Sequence, residues 1–323
     1  MHSLDHQVLA TLQRWIADGH CAWLCTIVAT HGSSPRPAGS LMACNQNGQV
    51  VGALSGGCVE DDLVERLHSG GIEAFPTLVE YGLNAEENAR LGLPCGGYLT
   101  VLVEKLDVCD LQQLSVINDR LERRACVERS VDLKTGAATL RQVTHFAPFT
   151  LSEQKWVQVY GPRYTLLLVG AGQIAGCLAQ MGSLMDYRVV VTDPRADKLD
   201  DFQTHVIGPE HPCECVLGMP DDVVRQYGSD PFSIVITLTH DPRIDDMALM
   251  EALTRDNLYV GALGSLRTTE QRIERLRQLD VTEAQLQRLH APVGLSIGSK
   301  TAPEIAVSVL AELTQLRRKR ERL

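Results

Sequence analysis

The sequence predicts an α/β protein of two domains: an N-terminal α+β domain over residues 1–155 and a C-terminal domain over 156–323 built on a doubly wound parallel sheet. Three observations predict it. A chain of 323 residues accommodates two domains at about 150 residues each. Before Thr144 short strands alternate with turns and helical stretches, whereas from Tyr164 a regular strand-and-helix alternation begins with continuous apolar strands, as a sheet covered on both faces requires. Between Thr144 and Pro162 periodicity is weak and breakers accumulate, which places the boundary there.

In the N-terminal part, Val8, Leu9, Leu12, Trp15 and Ile16 recur at helical spacing, and Gly19 ends the helix. A β-run from Cys21 to Ala29 follows. The loop His31 to Gly39 then sets two prolines around Arg36, which holds a guanidinium on a stiff backbone beside small hydroxyl-bearing residues. Such a loop serves as a phosphate or carboxylate clamp, or it is a solvated loop with an incidental arginine; the residues leave both open. Ser40 to Cys44 and Gln49 to Leu54 read as strands around the turn Asn45-Gln-Asn-Gly48. Later come strands at Phe75 to Tyr81 and Tyr98 to Glu104, a helix at Leu106 to Leu121, and a hairpin of Val127 to Leu133 with Ala138 to Val143.

The stretch Gly52-Ala-Leu-Ser-Gly-Gly-Cys-Val-Glu60 runs a glycine-rich turn into a helix marked by Val59, Leu63, Val64 and Leu67. Ser55, Gly56 and Gly57 allow positive φ or a close approach of ligand to backbone. Cys58 is expected at the helix N-terminus, where unpaired N–H groups and the macrodipole stabilise a thiolate or a bound anion. A buried structural cysteine in a tight turn is the other reading. Cys95 sits in a second such turn, Leu91-Gly-Leu-Pro-Cys-Gly96-Gly97.

In the C-terminal part, Thr165 to Val169 is an apolar strand leading into Gly170-Ala-Gly-Gln-Ile-Ala175 and a helix through Met185, and the strand Tyr187 to Val191 leads to Asp193, 23 residues beyond Gly170. This is the Rossmann βαβ arrangement. Gly170 makes the tight turn, Gly172 admits a pyrophosphate to the backbone, Ala175 replaces the third glycine, and Asp193 is expected to accept from a ribose hydroxyl. Ser233 to Leu238 and Leu258 to Leu263 are further strands whose C-terminal ends, Thr239-His240-Asp241 and Gly264-Ser265, face the ligand crevice of such sheets. His240 is a general base or metal ligand, or it orients a loop. Leu266 to Leu279 and Ser299 to Leu316 read as amphipathic helices. His211, Cys213 and Cys215 fall in a loop and are too crowded, without a distant fourth ligand, for a zinc site.

The net charge of −10, from 30 basic and 40 acidic residues, argues against nucleic-acid and membrane-surface partners. The basic tail Arg317 to Arg322 reads as a charged helix end. No segment is apolar enough to span a membrane and the N-terminus lacks a signal-peptide layout, so a cytoplasmic protein is expected. Its ten cysteines are then thiols, with thiolate, sulfur-transfer or metal chemistry open to them. A homodimer is expected, as for many soluble proteins of this size.

Taken together, His31-Gly-Ser-Ser-Pro-Arg36, Leu54-Ser-Gly-Gly-Cys-Val-Glu60, Pro94-Cys-Gly-Gly97, Tyr259-Val-Gly-Ala-Leu-Gly-Ser265 and Leu289-His-Ala-Pro-Val-Gly-Leu-Ser-Ile-Gly298 make the chain resemble the XdhC/CoxI family over nearly its whole length. The resemblance implies an accessory protein that binds the molybdenum cofactor (molybdopterin), holds it while a cysteine desulfurase supplies the sulfido ligand, and inserts it into an apo molybdenum hydroxylase such as xanthine dehydrogenase. It implies a chaperone without catalytic residues. Arg36, Ser55, Gly56, Gly57, Cys58, Glu60, Cys95, Gly96 and Gly97 would form its cofactor site at the mouth between the domains, with Cys58 and Cys95 as metal ligands. Gly170, Gly172, Asp193 and His240 would line a nucleotide site for NAD(P), the nucleotide half of a dinucleotide-type molybdopterin, or nothing. Ser296 departs from the family pattern, where an acidic residue is expected. The alternative reading is an NAD(P)-dependent oxidoreductase, against which no Tyr-x-x-x-Lys pair and no well-placed His/Asp/Arg set is visible beside the glycine loop. A nucleotide-dependent regulator without chemistry is a third.

Overall fold

The computed structural model describes residues 4–31, 36–82, 98–147, 149–208, 211 and 213–320. The chain divides between Pro162 and Arg163 into two compact units. The division falls past the expected 155/156 because Lys155–Tyr160 is a strand of the first unit.

The first unit contains helices α1 (Leu4–Ala17), α2 (Cys58–His68) and α3 (Leu111–Glu122). Its strands are β1 (Ala22–His31), β2 (Leu41–Asn45), β3 (Val50–Gly52), β4 (Thr77–Tyr81), β5 (Tyr98–Leu106), β6 (Cys126–Asp132), β7 (Ala138–Val143), β8 (Thr150–Leu151) and β9 (Lys155–Tyr160). Antiparallel pairing gives a five-stranded sheet in the order β3-β2-β1-β5-β4 and a four-stranded one in the order β7-β6-β9-β8. The central strand β1 is apolar on both faces because both are covered. Trp23, Cys25 and Ile27 pack with Val59, Leu63 and Leu67 of α2, while Ala22 and Leu24 meet α1 and α3 through Val8, Leu9, Leu12, Leu114 and Ile117. The helical spacing of those residues is the imprint of the sheet they cover.

Val28 and Leu102 of the first sheet pack on Val131 and Trp156 of the second. Across the same contact Arg129 donates through both terminal nitrogens to Glu104, each at 2.9 Å, with both side chains 4% exposed. Burial works against the Arg129 charge, but the facing Glu104 carboxylate overcomes it and holds the guanidinium protonated.

The second unit begins with β10 (Thr165–Val169), α4 (Gln173–Leu184), β11 (Arg188–Asp193), α5 (Ala196–Asp201), β12 (Glu214–Leu217) and α6 (Pro220–Tyr227). It continues with β13 (Ser233–Thr237), α7 (Pro242–Leu253), β14 (Tyr259–Ala262), α8 (Leu266–Gln278), α9 (Glu283–Leu286), β15 (Leu289–His290) and α10 (Ala302–Arg320). Its six strands are parallel in the order β12-β11-β10-β13-β14-β15. That is the doubly wound order of a dinucleotide-binding fold, with its reversal between β10 and β13. Leu167, Val169 and Val235 face α6, α7 and α8 through Val223, Ile244, Ala248 and Leu276. Opposite them α4 comes so close that a Cβ on Gly182 would lie 3.2 Å from Leu166, and α10 packs on α4.

Two sequence expectations change here. Cys215 stands on β12 rather than in a loop, paired in parallel with Val191, and its sulfur lies 4.0 Å from that of Cys213. A half-exposed edge strand of this kind carries no apolar run to announce it. The third-glycine role also shifts by one position, because a Cβ on Gly176 would lie 2.4 Å from Val206, so Gly176 permits the close helix packing assigned to Ala175.

Because Arg129 and Glu104 are buried against each other, removing one leaves the other unpaired. Arg129→Leu is expected to lower the stability of the first unit by about 3–5 kcal/mol, measured as a urea midpoint shift, while Arg129→Leu with Glu104→Leu recovers most of that loss.

Candidate functional site

The glycine turn of the first unit folds around the carboxylate of Glu60. Backbone N–H groups of Leu54, Ser55, Gly56 and Gly57 donate to it at 2.8, 2.7, 2.9 and 2.9 Å, and the Ser55 hydroxyl donates at 2.6 Å. Only glycine reaches the required backbone easily, with φ of 113° at Gly56 and 156° at Gly57. Burial works against the charge on Glu60, but the Ser55 hydroxyl and the N–H groups of Gly56, Ser55 and Gly57 outweigh it and bring the carboxyl down to about 2.

This changes the expected use of the turn. The anion that the N-terminus of α2 accommodates is the chain's own Glu60, three residues into the helix, where the dipole favours it. Cys58 is the first residue of α2 and is exposed. A Cβ on Gly56 or Gly57 would meet nothing within 4 Å, so the thiol stands on open surface, positioned by a turn braced from behind. Cys109 is exposed as well, whereas Cys25 and Cys44 lie in the core of the first sheet, where the hydrogen bond that Cys25 shares with Cys44, reinforced by burial, pushes the Cys25 thiol far up. Arg36 is half-buried. Cys95, Gly96 and Gly97 lie outside the described residues.

In the second unit a crevice of about 900 Å³ opens at the C-terminal ends of β10 and β13, lined by Gly170 to Ala175, Leu238 to Arg243, Arg195, Lys198 and Lys300 among others. Gly170 is required by the fold, since its φ is 114° and a Cβ would lie 2.7 Å from Thr239. Gly172 is not. Its backbone is extended at φ −128° and a Cβ there would point into open space, so the fold itself tolerates a side chain and only an occupant of the crevice would object.

Asp193 does not face that crevice as a ribose acceptor. It is fully buried, and one oxygen accepts from the backbone and Nε of Arg195 at 3.1 and 2.8 Å while the other accepts from Nη2 of Arg195 at 2.8 Å and the Ala171 N–H at 3.1 Å. A carboxylate offers about four acceptor sites, and all are used. Burial opposes its charge, and the Arg195 guanidinium with the two N–H groups prevails, holding the carboxyl below its usual range. Asp193 therefore fastens the glycine turn and aims Arg195, which lines the crevice in its place.

Four cations line the crevice: Arg195, Lys198, Arg243 and Lys300. Arg243 is paired with Asp241, whose carboxyl it holds at about 2, whereas the Lys198 and Lys300 ammonium groups have no ion-pair partner among the described residues. In a chain of net charge −10 this is a local concentration of positive charge. His240 lines its mouth and is exposed. Sequence reasoning missed these cations. Arg195 was within reach, two residues past Asp193, but Lys300 arrives from the segment just ahead of α10 and carries no local signal.

The structure also places His240, Asp245 and Arg272 around one smaller cavity beside the crevice, a grouping that the sequence did not reveal. Among the described residues no cluster of three or more His, Cys, Asp or Glu side chains is arranged to hold a metal ion. No described helix is long and apolar enough to cross a membrane.

Fold and site together define an α/β protein with a Rossmann unit whose crevice is lined by cations and a separate unit that displays a thiol on a glycine turn. Known proteins of that composition supply the family. A sequence model described as the XdhC Rossmann domain matches residues 166–313, and one described as the XdhC and CoxI family matches residues 15–82. The chain belongs to the XdhC/CoxI family.

It is 26% identical to a probable xanthine dehydrogenase component of Bacillus subtilis (strain 168), covering 95% of this chain and 97% of that one. It is likewise 26% identical to the molybdenum cofactor insertion chaperone PaoD of Escherichia coli (strain K12), over 97% of this chain and 89% of PaoD. A crystal structure described as a xanthine dehydrogenase from Bacillus halodurans shares the fold with a TM-score of 0.76 at 28% identity, covering 98% of this chain and 96% of that one.

The Glu60 carboxyl ionises at about 2 in the fold against an ordinary 4.5. A depressed value of this kind stabilises the fold fully above the ordinary value and loses that contribution as pH falls through the folded one. Glu60→Gln is expected to cost roughly 3 kcal/mol at neutral pH and to remove this dependence between about pH 4.5 and 2, as read from denaturation midpoints across that range.

Proposed function

We propose that this protein binds the molybdenum cofactor and inserts it into a molybdenum hydroxylase of the xanthine dehydrogenase type, receiving sulfur from a cysteine desulfurase while the cofactor is held. The observation that carries the reading is the exposed Cys58 on a braced, unshielded glycine turn, in a chain related over nearly its full length to a molybdenum cofactor insertion chaperone. A thiolate is a soft donor suited to molybdenum or to a persulfide. The anionic, phosphate-bearing cofactor also fits the donors present, since the crevice of the second unit supplies Arg195, Lys198 and Lys300 for a phosphate or nucleotide group. When bound, the cofactor supplies the redox and sulfido chemistry that the client hydroxylase uses. The chain's own part is to bind, to keep the thiol accessible and to release. Cys95 with Gly96 and Gly97 is assigned the partner role to Cys58 on the family resemblance, and Arg36 the role of an anion contact. The protein is proposed to act in the cytoplasm as a homodimer.

The crevice ligand is proposed to carry a phosphate where a dinucleotide would place a bare ribose diol, because Asp193 has no acceptor capacity left and Arg195 faces outward. Gly172→Val should leave stability nearly unchanged and abolish nucleotide binding. Calorimetry with NAD, NADP, ATP and CTP on parent and variant checks both, and equal binding by the two proteins defeats the assignment.

One observation favours a second reading, an NAD(P)-dependent oxidoreductase: His240, Asp245 and Arg272 lie together beside the crevice. The two readings separate on protein purified from a molybdate-fed host. Bound molybdenum and pterin, lost or strongly reduced in Cys58→Ala or Cys95→Ala together with activation of an apo-hydroxylase, is the expected outcome. Nicotinamide turnover without bound molybdenum favours the second reading. Full retention and activation by both folded cysteine variants removes the thiols from the site.

A further inference from the structure

At one edge of the second unit two thiols touch each other. Cys215 stands on β12, the outermost strand of the six-stranded sheet, and Cys213 stands two residues earlier, just ahead of the strand and outside its ladder. Both are half-buried, and their sulfurs lie 4.0 Å apart in hydrogen-bond contact. In the first unit Cys25 is hydrogen-bonded to Cys44 in the same way, but both of those residues are fully buried, so a solute does not reach them. Cys213 and Cys215 each keep part of their surface in solvent.

The geometry suits a bond between them. In extended chain, residues two apart direct their side chains to one face with Cα atoms about 6.6 Å apart, inside the roughly 4.4–6.8 Å that disulfides span. Because Cys213 is not held by the ladder, side-chain rotation with a small backbone shift closes the gap from 4.0 Å to a bond of about 2 Å. A spacing near the upper end of that range makes the bond strained and easily reduced. The two thiols also differ in character. The hydrogen bond from Cys213 holds the Cys215 thiol below its usual range although burial opposes it, and Gln203 adds to the effect, while the same contact and burial push Cys213 up. Cys215 is thus the nucleophile, since the thiolate is the reacting form, and Cys213 stands ready beside it as the resolving thiol.

We propose that Cys213 and Cys215 form a reversible oxidation site that reacts with peroxide and closes to a disulfide within the chain. The Cys215 sulfur attacks one peroxide oxygen, the O–O bond breaks, and the hydroxide that leaves is protonated by solvent to water. The sulfenic acid left on Cys215 is then attacked at sulfur by Cys213. The S–S bond forms, the S–O bond breaks, and the departing hydroxide takes the Cys213 proton. The two thiols are oxidised by two electrons and the peroxide is reduced to water. A small thiol reductant reverses the bond by exchange. The proposal does not depend on the molybdenum cofactor reading.

The test titrates the full chain with hydrogen peroxide, blocks the remaining thiols and reads tryptic peptides by mass spectrometry. The peptide 199–225 holds Cys213 and Cys215 and no other cysteine, so the bridge shows as a loss of two hydrogens from it. Cys109 is the internal reference, being exposed and pushed up by its hydrogen bond to Asp107. The bridge should form at about one tenth of the peroxide that oxidises Cys109, and dithiothreitol should restore the parent peptide. Cys213→Ser should leave a sulfenic acid on Cys215 that dimedone traps, and Cys215→Ser should leave Cys213 unreacted over the same range. Oxidation of Cys215 no earlier than Cys109, a bridge found only between two chains, or sulfinic acid on Cys215 in place of the bridge overturns the proposal. Should a serine variant fail to fold, the parent titration decides by itself.

Discussion

The crevice of the second unit depends on one topological constraint, the reversal of strand order between β10 and β13. Connections from parallel strands run right-handed, so α4 after β10 and α7 after β13 are carried to opposite faces of the sheet. The loops that lead into them then diverge and cannot fill the space between. Everything assigned to the crevice stands on that gap: Gly170 and Gly172 on one side, Thr239 to Arg243 on the other, and Arg195 at the end of the neighbouring strand. Asp245, buried on α7, bonds the Thr239 hydroxyl and fixes the second wall.

A common device governs both glycine turns. In each, a carboxylate of the chain takes up backbone N–H groups that would otherwise be open to a ligand: Glu60 takes those of Leu54 to Gly57, and Asp193 takes that of Ala171. Low dielectric makes an unmet backbone donor expensive, so self-satisfaction fixes the turn before any ligand arrives. What each turn then displays outward is a side chain, Cys58 in one unit and Arg195 in the other. Rigid presentation of one group reduces the ordering cost of binding.

The parts of the fold legible in the sequence are those whose signal is local. The apolar strand Thr165–Val169, the glycine turn after it and Asp193 at the end of the next strand lie in one short stretch, and α1 and α2 show the spacing of the faces they bury. Helices α6 and α7 are harder to read, although each begins with proline at its first turn and α7 has an Asp241 cap, because the apolar strand between them dominates the pattern. The chemistry is less legible still. Glu60, Cys58 and Gly172 can be singled out, but which way a carboxylate turns is decided by competition among nearby donors. Arg195, Lys198, Arg243 and Lys300 converge from separate segments.

The pairing of Arg129 with Glu104 has a consequence for how the first unit comes apart. The two residues belong to different sheets, so neither sheet can peel away while the other stays folded without stranding a charge where water is scarce. Partial opening is therefore penalised more than the hydrophobic contact of Val28, Leu102, Val131 and Trp156 alone would require. The two sheets should exchange their amide hydrogens as a single cooperative block, and the small four-stranded sheet inherits the kinetic protection of the larger one.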